Sequence, residues 1–450
     1  PSRHGAEQKI EQTAERQMQN RRAFIKRTTA FGAVLAAAPS ITLGQGQRVF
    51  KFALVGCGGR GSGAAREITA AATRLGHKAV MVGAADFFKE KAAAACRANG
   101  CDEKFAFGGA DGYLKLMESD AEIVLLCAPP IFRARHAEAC VKAGKHIFAE
   151  KPIATDPAGL RHFLQVVEAA KTAKLSILSG TCHRHNSRAL RMIGPVRDGI
   201  IGEIRGGVVY RCHGSMSPAN YLRKRRPEDS NAAYMANNWY HFREMSADHL
   251  TEQAVHEIDL ANWFIGRLPK QAMGIGARHQ RSTGNTYDCF GIDYDYGNGL
   301  HIHAVARQIN GCFDRCCAML TGTNGQIDVL GSKIMKPDGA SVPFPFDEKA
   351  VEGRDNNMYV MEHADFLSGL LSGNLLHEGE QVAMATATGI LGTLAAYTGQ
   401  MVRMSDLLEN KESPFYAMNH PVTAADFEKG DVPMVPEFKA AVPGKPEVSA

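Results

Sequence analysis

Apolar and polar positions alternate from residue 49 and then merge into an apolar run that ends at 55, the pattern of a strand buried at its far end. Glycines at 56, 58, 59 and 61 follow at once, and 62–75 returns apolar residues at helical spacing. A second strand over 79–85 ends at Asp86, an Ala- and Lys-rich helix comes next, and 123–127 is a third buried strand closed by Ala128-Pro129-Pro130. A helix over 135–143, a stop at Gly144 and a strand over 145–148 continue the series. Strand and helix thus alternate from about 48 to 180, which predicts an α/β, doubly wound parallel sheet. Beyond it the texture changes. Stretches 202–212, 271–280, 286–296, 299–308 and 316–321 read as strands joined by turns such as Gly297-Asn298-Gly299. One long helix over 248–265 interrupts them, and 361–372 and 381–401 are again helical. The expected plan is a parallel-sheet domain over 47–180, a C-terminal α+β domain with an open, largely antiparallel sheet and C-terminal helices over 181–430, and an extended Pro-rich tail over 431–450.

Residues 1–46 stand outside this plan. Asn20-Arg21-Arg22-Ala23-Phe24-Ile25-Lys26 precedes an apolar run over 31–38, with Ala36-Ala37-Ala38 supplying small residues for cleavage. That run is far short of the ~20 residues that span a bilayer, so no stable membrane span is expected. The pattern reads as a twin-arginine signal, which predicts folding in the cytoplasm and then export to the periplasm or beyond, with the export machinery as partner. The competing reading is a chance Arg-Arg ahead of an amphipathic helix.

Composition narrows the classes. The chain has 450 residues, and what remains after the leader is long enough for two cores. Its 45% hydrophobic and 22% charged content is that of a soluble globular protein. A net charge of +5 with no basic stripe of interleaved aromatics argues against nucleic acid. The one dense basic run, Arg223-Lys224-Arg225-Arg226, reads as a solvated loop before it reads as an anion site. Eleven cysteines without paired spacing do not make a disulfide framework. Folding in the reducing cytosol before export reconciles them with an exported protein.

In Gly56-x-Gly58-x-x-Gly61, the first glycine permits a tight turn, the second lets backbone approach a pyrophosphate, and the third lets the helix pack on the sheet. The helix N-terminus offers amide donors and a positive dipole to phosphates. Asp86, at the next strand's end, would accept from both ribose hydroxyls and repel a 2′-phosphate, favouring NAD; Arg60 offers an approach to that phosphate and keeps NADP open.

Glu150-Lys151-Pro152 follows the strand 145–148, where ligands sit in such sheets, so Lys151 is placed to hold or shuttle a hydroxyl proton; a surface lysine is the plainer alternative. Asp248, Glu252, His256 and Asp259 recur at four, four and three residues and would share one face of the helix 248–265. Acids beside His256 would raise its pKa toward the range of a general base. The spacing serves equally as a surface salt-bridge ladder. His183-x-His185 and His301-x-His303 lack a third ligand, so no metal is expected. Trp239 and Tyr240 offer faces for a sugar ring, or simply core packing.

Taken together, Gly56-Cys57-Gly58, Asp86, Ala128-Pro129-Pro130, His136, Ala143-Gly144-Lys145-His146, Glu150-Lys151-Pro152 and His256-Glu257-Ile258-Asp259 give a sequence that resembles the Gfo/Idh/MocA oxidoreductases over about 50–408. His185-Asn186, Asn238-Trp239-Tyr240 and Asp248-His249 with Glu252-Gln253-x-x-His256 bring it nearest the exported twin-arginine branch. The resemblance implies a Rossmann domain and a sheet domain that carries substrate and often an oligomer interface, hence a homo-oligomer. It implies cofactor contacts from Gly56, Gly58, Arg60, Gly61, Asp86, Ala128, Pro129, His136, Glu150 and Lys151. It implies catalysis by His256 as acid/base with Lys151 on the reacting hydroxyl. Glu252 stands where the family usually has Asp, with Asp248 in reserve. His183, Arg184, His185, Asn186, Trp239 and Tyr240 fall at the substrate pocket, with Asp259 supporting. The implied activity is NAD(P)-dependent oxidation of a sugar or polyol CH–OH. A cofactor carried out of the cell would have to stay bound and be recycled. The alternative is an NAD-dependent glycoside hydrolase working by transient oxidation, elimination and hydride return, with Asp248 or His185 as the additional base. A non-catalytic sugar-binding protein on the same scaffold is the third reading.

Overall fold

A computed structural model describes residues 46–216, 225–331, 333–342, 347–437 and 439–444. The twin-arginine stretch, Arg223-Lys224 and the tail beyond 444 lie outside the described residues. Six strands, β1 (Val49–Val55), β2 (Lys78–Asp86), β3 (Ala106–Gly108), β4 (Ile123–Leu126), β5 (His146–Ala149) and β6 (Ile177–Ser179), form a parallel sheet in the order β3-β2-β1-β4-β5-β6. The order reverses direction between β1 and β4, which opens a crevice at the strands' carboxyl ends.

The second sheet has nine strands. They are β7 (Ile204–His213), β8 (Gln271–Ala277), β9 (Cys289–Asp295), β10 (His301–Gln308), β11 (Arg315–Gly322), β12 (Gly325–Asp328), β13 (Lys333–Met335), β14 (Ser341–Val342) and β15 (Val402–Arg403), in the order β14-β13-β12-β11-β7-β10-β9-β8-β15. Every pairing is antiparallel except β7 with β10. Strict alternation in β9 and β10 turns Phe290, Ile292, Tyr294, Ile302, Ala304 and Ala306 inward. The helix Gly379–Thr398, with Ala383, Ala387, Ile390 and Leu391 buried, packs on that side. On the other side Met273 and Ile275 are exposed.

The helix Met358–Ser372 lies far along the chain yet packs on Gly59–Arg74, joining Phe366 and Leu367 to the core of Phe50, Phe52, Leu54, Phe148 and Leu178. Fully burying Phe366 contributes about 1.5–3 kcal/mol. Nothing local in the sequence ties this helix to the first sheet.

The predicted helix 248–265 is broken. Asp248–Glu252 and Val255–Ile265 are separate helices, preceded by Ala247 and Asp248 in the left-handed region at φ 62° and 67°. Ala254 donates to His249 O rather than Leu250 O, which widens the turn between them.

After residue 408 the chain becomes a strap. His420 N donates to Asp156 Oδ2 at 3.1 Å, and Glu428 takes Arg135 Nε at 2.5 Å and the Tyr113 hydroxyl at 3.1 Å. Phe427 packs edge-on against Phe87 and Phe132, just beyond the ends of β2 and β4. The strap then reaches the second domain, where Asn231 donates to Val432 O, Arg225 pairs with Glu437 and Tyr287 donates to Ala441 O at 2.7 Å.

Candidate active site

The glycine loop is built by contact. Gly56 has φ +89°, and a Cβ there would sit 2.3 Å from Ala128 N; a Cβ on Gly61 would lie against Gly56 O. Gly58 and Gly59 face open space, and no side chain caps the helix Gly59–Arg74. Asp86 accepts from Cys57 N at 2.8 Å and from Phe88 N at 3.0 Å, which fixes the loop against the end of β2. An uncapped helix start behind a bare backbone loop, with a carboxylate at its side, fits a dinucleotide pyrophosphate and ribose. Ala128 and Pro129 form the facing wall at the end of β4.

Arg60 is already engaged. It bonds Glu67 and lies 3.3 Å from Glu150 Oε1, with its guanidinium 5.1 Å from the Tyr359 ring. Glu150 is buried at the end of β5, and the Lys151–Pro152 bond is cis. Lys151 Nζ crosses to the second domain, donating to the Glu252 carbonyl at 2.6 Å and to Glu252 Oε1 at 3.1 Å. Gln253 Nε2 holds the other Glu252 oxygen, and Arg211 holds Gln253 Oε1 at 2.7 Å and Glu257 Oε1 at 2.9 Å. Arg184 makes a two-pronged bond to Asp259 at 2.7 and 2.8 Å.

His256 is 9% exposed, and its Nδ1 is buried without a partner among the described residues. The His183 ring stands edge-on to it at 5.3 Å. Burial, then Lys151, His183 and Arg211, push the His256 pKa well below its usual value; desolvation and Arg211 bring His183 down to about 4. The expected upward shift at His256 is therefore corrected. The acids on its helix are spent on Lys151, Gln253 and Arg184, so the cations dominate the ring. A neutral imidazole is the proton-accepting form at neutral pH.

Glu252, His256, Asp259, Lys151, His183 and Arg184 thus converge where the two domains meet. Other predicted residues have different surroundings. Asp248 is fully buried and accepts from Tyr287 N and the Tyr397 hydroxyl, away from the face carrying His256. His185 is enclosed by Asp365 at 2.6 Å and Glu378 at 3.2 Å. Asn186 accepts from Arg188 N and caps the helix Ser187–Arg197. His136 stacks on Phe132 and lies tilted against Tyr113, with neither ring nitrogen bonded among the described residues. Trp239 packs against the cluster of Tyr234 and Phe242, while the Tyr240 hydroxyl lies 3.4 Å from His249 and 3.2 Å from Gln308.

Sequence reasoning quoted Gln253 within a motif but gave it no role, and it missed Arg211 and Gln381, the latter's amide reaching Thr181 and Asp259. Arg211 carried a signal, being a charge two residues from buried Val209 on the same strand face. Gln381 carried none.

A model described as an oxidoreductase family with an NAD-binding Rossmann fold matches residues 50–178, and the GFO/IDH/MocA C-terminal domain matches 195–328. The chain is 28% identical over 229 residues to inositol 2-dehydrogenase of Rhizobium meliloti, covering 50% of this chain and 58% of that protein. It is 28% identical over 121 residues to a glycosyl hydrolase family 109 protein of Streptomyces coelicolor, covering 26% of this chain and 25% of the other. These matches span less than two thirds of the relatives' own length. Among solved structures, the WlbA dehydrogenase from Bordetella pertussis in complex with NADH and UDP-GlcNAcA aligns with TM-score 0.62 at 20% identity, covering 79% of this chain and 98% of that one. The aldose-aldose oxidoreductase from Caulobacter crescentus aligns with TM-score 0.60 at 17% identity, covering 79% and 100%. Two domain models in tandem, spanning more than half of the sequence and laid over the crevice just described, identify the chain as a member of the Gfo/Idh/MocA oxidoreductase family.

Proposed function

We propose that this chain oxidises a CH–OH group of a sugar or polyol, using NAD held by the first domain. The observation that carries this reading is the meeting of Lys151 and Glu252 with His256 and His183 across the crevice. Bound nicotinamide would take up the hydride. His256, neutral at neutral pH, accepts the hydroxyl proton. Lys151 donates to the hydroxyl oxygen, and Glu252, held by Gln253, keeps the ammonium aimed. Asp259 acts through Arg184. Asp86 at the ribose end, and an Arg60 occupied by Glu67 and Glu150, support NAD over NADP. The test is acid unfolding of gently purified protein with mass spectrometry of what is released. A chain that yields no nicotinamide nucleotide and binds none in titration overturns the reading.

The leader at 20–26 supports export, and an exported enzyme needs its cofactor retained and reoxidised in place, by a second, electron-accepting sugar. Phe427 of the strap, packed on Phe87 beside Asp86, supports retention. Exposed Met273, Ile275 and Val305 on one face of the second sheet support a homo-oligomer, to be checked by light scattering.

The match to a glycosyl hydrolase family 109 protein favours one second reading, net hydrolysis of a glycoside through transient oxidation. The extra base it needs is His183 rather than Asp248 or His185, because both of those are enclosed by other partners. Phenol release from nitrophenyl glycosides without added NAD selects this reading; reduced nicotinamide on a free sugar selects the first.

A further inference from the structure

Between the helix that opens the glycine loop and the helix Met358–Ser372 lies a polar cluster that the proposed chemistry does not use. Glu362 and His363 are adjacent on the helix Met358–Ser372 and both are fully buried. Neither Glu362 oxygen and neither His363 nitrogen has a hydrogen-bond partner among the described residues. Glu67, on the facing helix Gly59–Arg74, completes a group whose donor atoms all lie within 4.8 Å of one another.

An unbonded carboxylate in such a place costs several kcal/mol unless a proton or a cation compensates it. Glu67, Glu150 and Glu362 are three carboxylates with Arg60 as the shared cation. The next cations are committed elsewhere, His185 to Asp365 and Glu378, and Arg354 to Asp365. Arg66 faces Glu67 and Arg133 faces Glu150, which leaves Glu362 as the carboxylate with no hydrogen-bonded cation among the described residues. The Glu67 side chain keeps 17% exposure and that of Arg60 keeps 35%, which gives an ion a way in from solvent.

We propose that Glu67, Glu362 and His363 bind one divalent d-block cation of the Zn²⁺ or Mn²⁺ class, fastening the helix Met358–Ser372 to the helix that opens the cofactor loop. Two carboxylates and one imidazole suit such ions, and one position is left for water. Tetrahedral bonds of about 2.0–2.2 Å set donors roughly 3.4 Å apart, so side-chain rotation on the order of 1 Å completes the shell. Arg60 uses one oxygen of Glu67 and leaves the other to the ion. The role is structural, beneath the loop rather than at the reacting carbon.

The test uses the full chain, purified without chelator, with metal counted by plasma mass spectrometry. The protein is then stripped and titrated with Co²⁺, whose ligand-field absorption reports coordination. About one equivalent is expected in the wild type, with a visible band that weakens tenfold or more in Co²⁺ affinity for Glu362→Gln and His363→Ala. Because those buried variants risk misfolding, Glu67→Gln, at the solvent edge, is measured too. It should keep wild-type circular dichroism and lose the band. His301→Ala, on the exposed face of the second sheet, should keep it. The proposal is overturned if the wild type holds no stoichiometric metal and shows no band at saturating Co²⁺. It is equally overturned if Glu67→Gln and Glu362→Gln bind as the wild type does, or if difference infrared spectroscopy assigns a protonated carboxyl to Glu362 in metal-replete protein. None of these readouts depends on turnover.

Discussion

Lys151 Nζ is held by two unlike acceptors of one residue, the backbone carbonyl of Glu252 at 2.6 Å and its carboxylate at 3.1 Å. The carbonyl survives any side-chain substitution. Lys151→Met is expected to lower kcat/KM by about 10²–10⁴-fold, the usual loss for a positioned proton donor or acceptor. Glu252→Gln should cost distinctly less. Steady-state kinetics at matched nucleotide occupancy decide it; equal losses would mean that the carboxylate alone orients the ammonium.

The His256 pKa lies well below its ordinary value because of burial first and the Lys151 charge second. Lys151→Met should therefore raise it. An NMR titration of the His256 ring in both proteins is the measurement, and an unchanged or lower value in the variant contradicts the electrostatic account.

Two buried histidines should bend the stability curve in opposite directions. His136, between Tyr113 and Phe132, is lowered to about 3 by burial and by Arg133. Its folded pKa is below the unfolded value of about 6.5, so stability is complete above that pH and falls by about 1.4 kcal/mol per unit as pH drops toward 3. His185, despite burial, is raised to about 10 by Glu378 and Asp365. Its contribution is complete below about 6.5 and is lost as pH climbs toward 10. His136→Phe should flatten the acid limb. His185→Leu, which leaves buried Glu378 without its cation while Asp365 keeps Arg354, should cost about 3–5 kcal/mol at pH 7. Urea midpoints at several pH values test both, and a His136→Phe acid limb as steep as the wild type's would refute the first.

Gly58 separates binding from folding. A Cβ there meets nothing, whereas one on Gly56 or Gly61 strikes backbone. Gly58→Ala should melt within about 0.5 kcal/mol of wild type yet lose bound nucleotide. Gly56→Ala and Gly61→Ala should fold poorly. A Gly58→Ala protein with full nucleotide content would remove the loop from the binding site.

Much of this was legible in the sequence because its signals are local. The glycine spacing, Asp86 at a strand end and Glu150-Lys151 after β5 each sit within one strand–turn–helix unit. The unread features depend on residues brought together from far apart. His185 meets Asp365 and Glu378 across 180 and 193 positions, and no periodicity records such a pairing. The break before Val255 escaped for another reason. Asp248, Glu252 and His256 do keep helical spacing in the sequence, and the interruption comes where Ala254 N bonds His249 O and His256 N bonds Gln253 O, a local shift of the ladder that apolar periodicity does not record.

The strap is synthesised after every strand of both sheets. Until Phe427 and Glu428 emerge from the ribosome, the ends of β2 and β4 lack their cover, although both sheets are already encoded. Covering of the nucleotide crevice by Phe427 is thereby deferred until after both sheets have been made. A segment translated after both folds are encoded thus completes the wall beside the nucleotide loop.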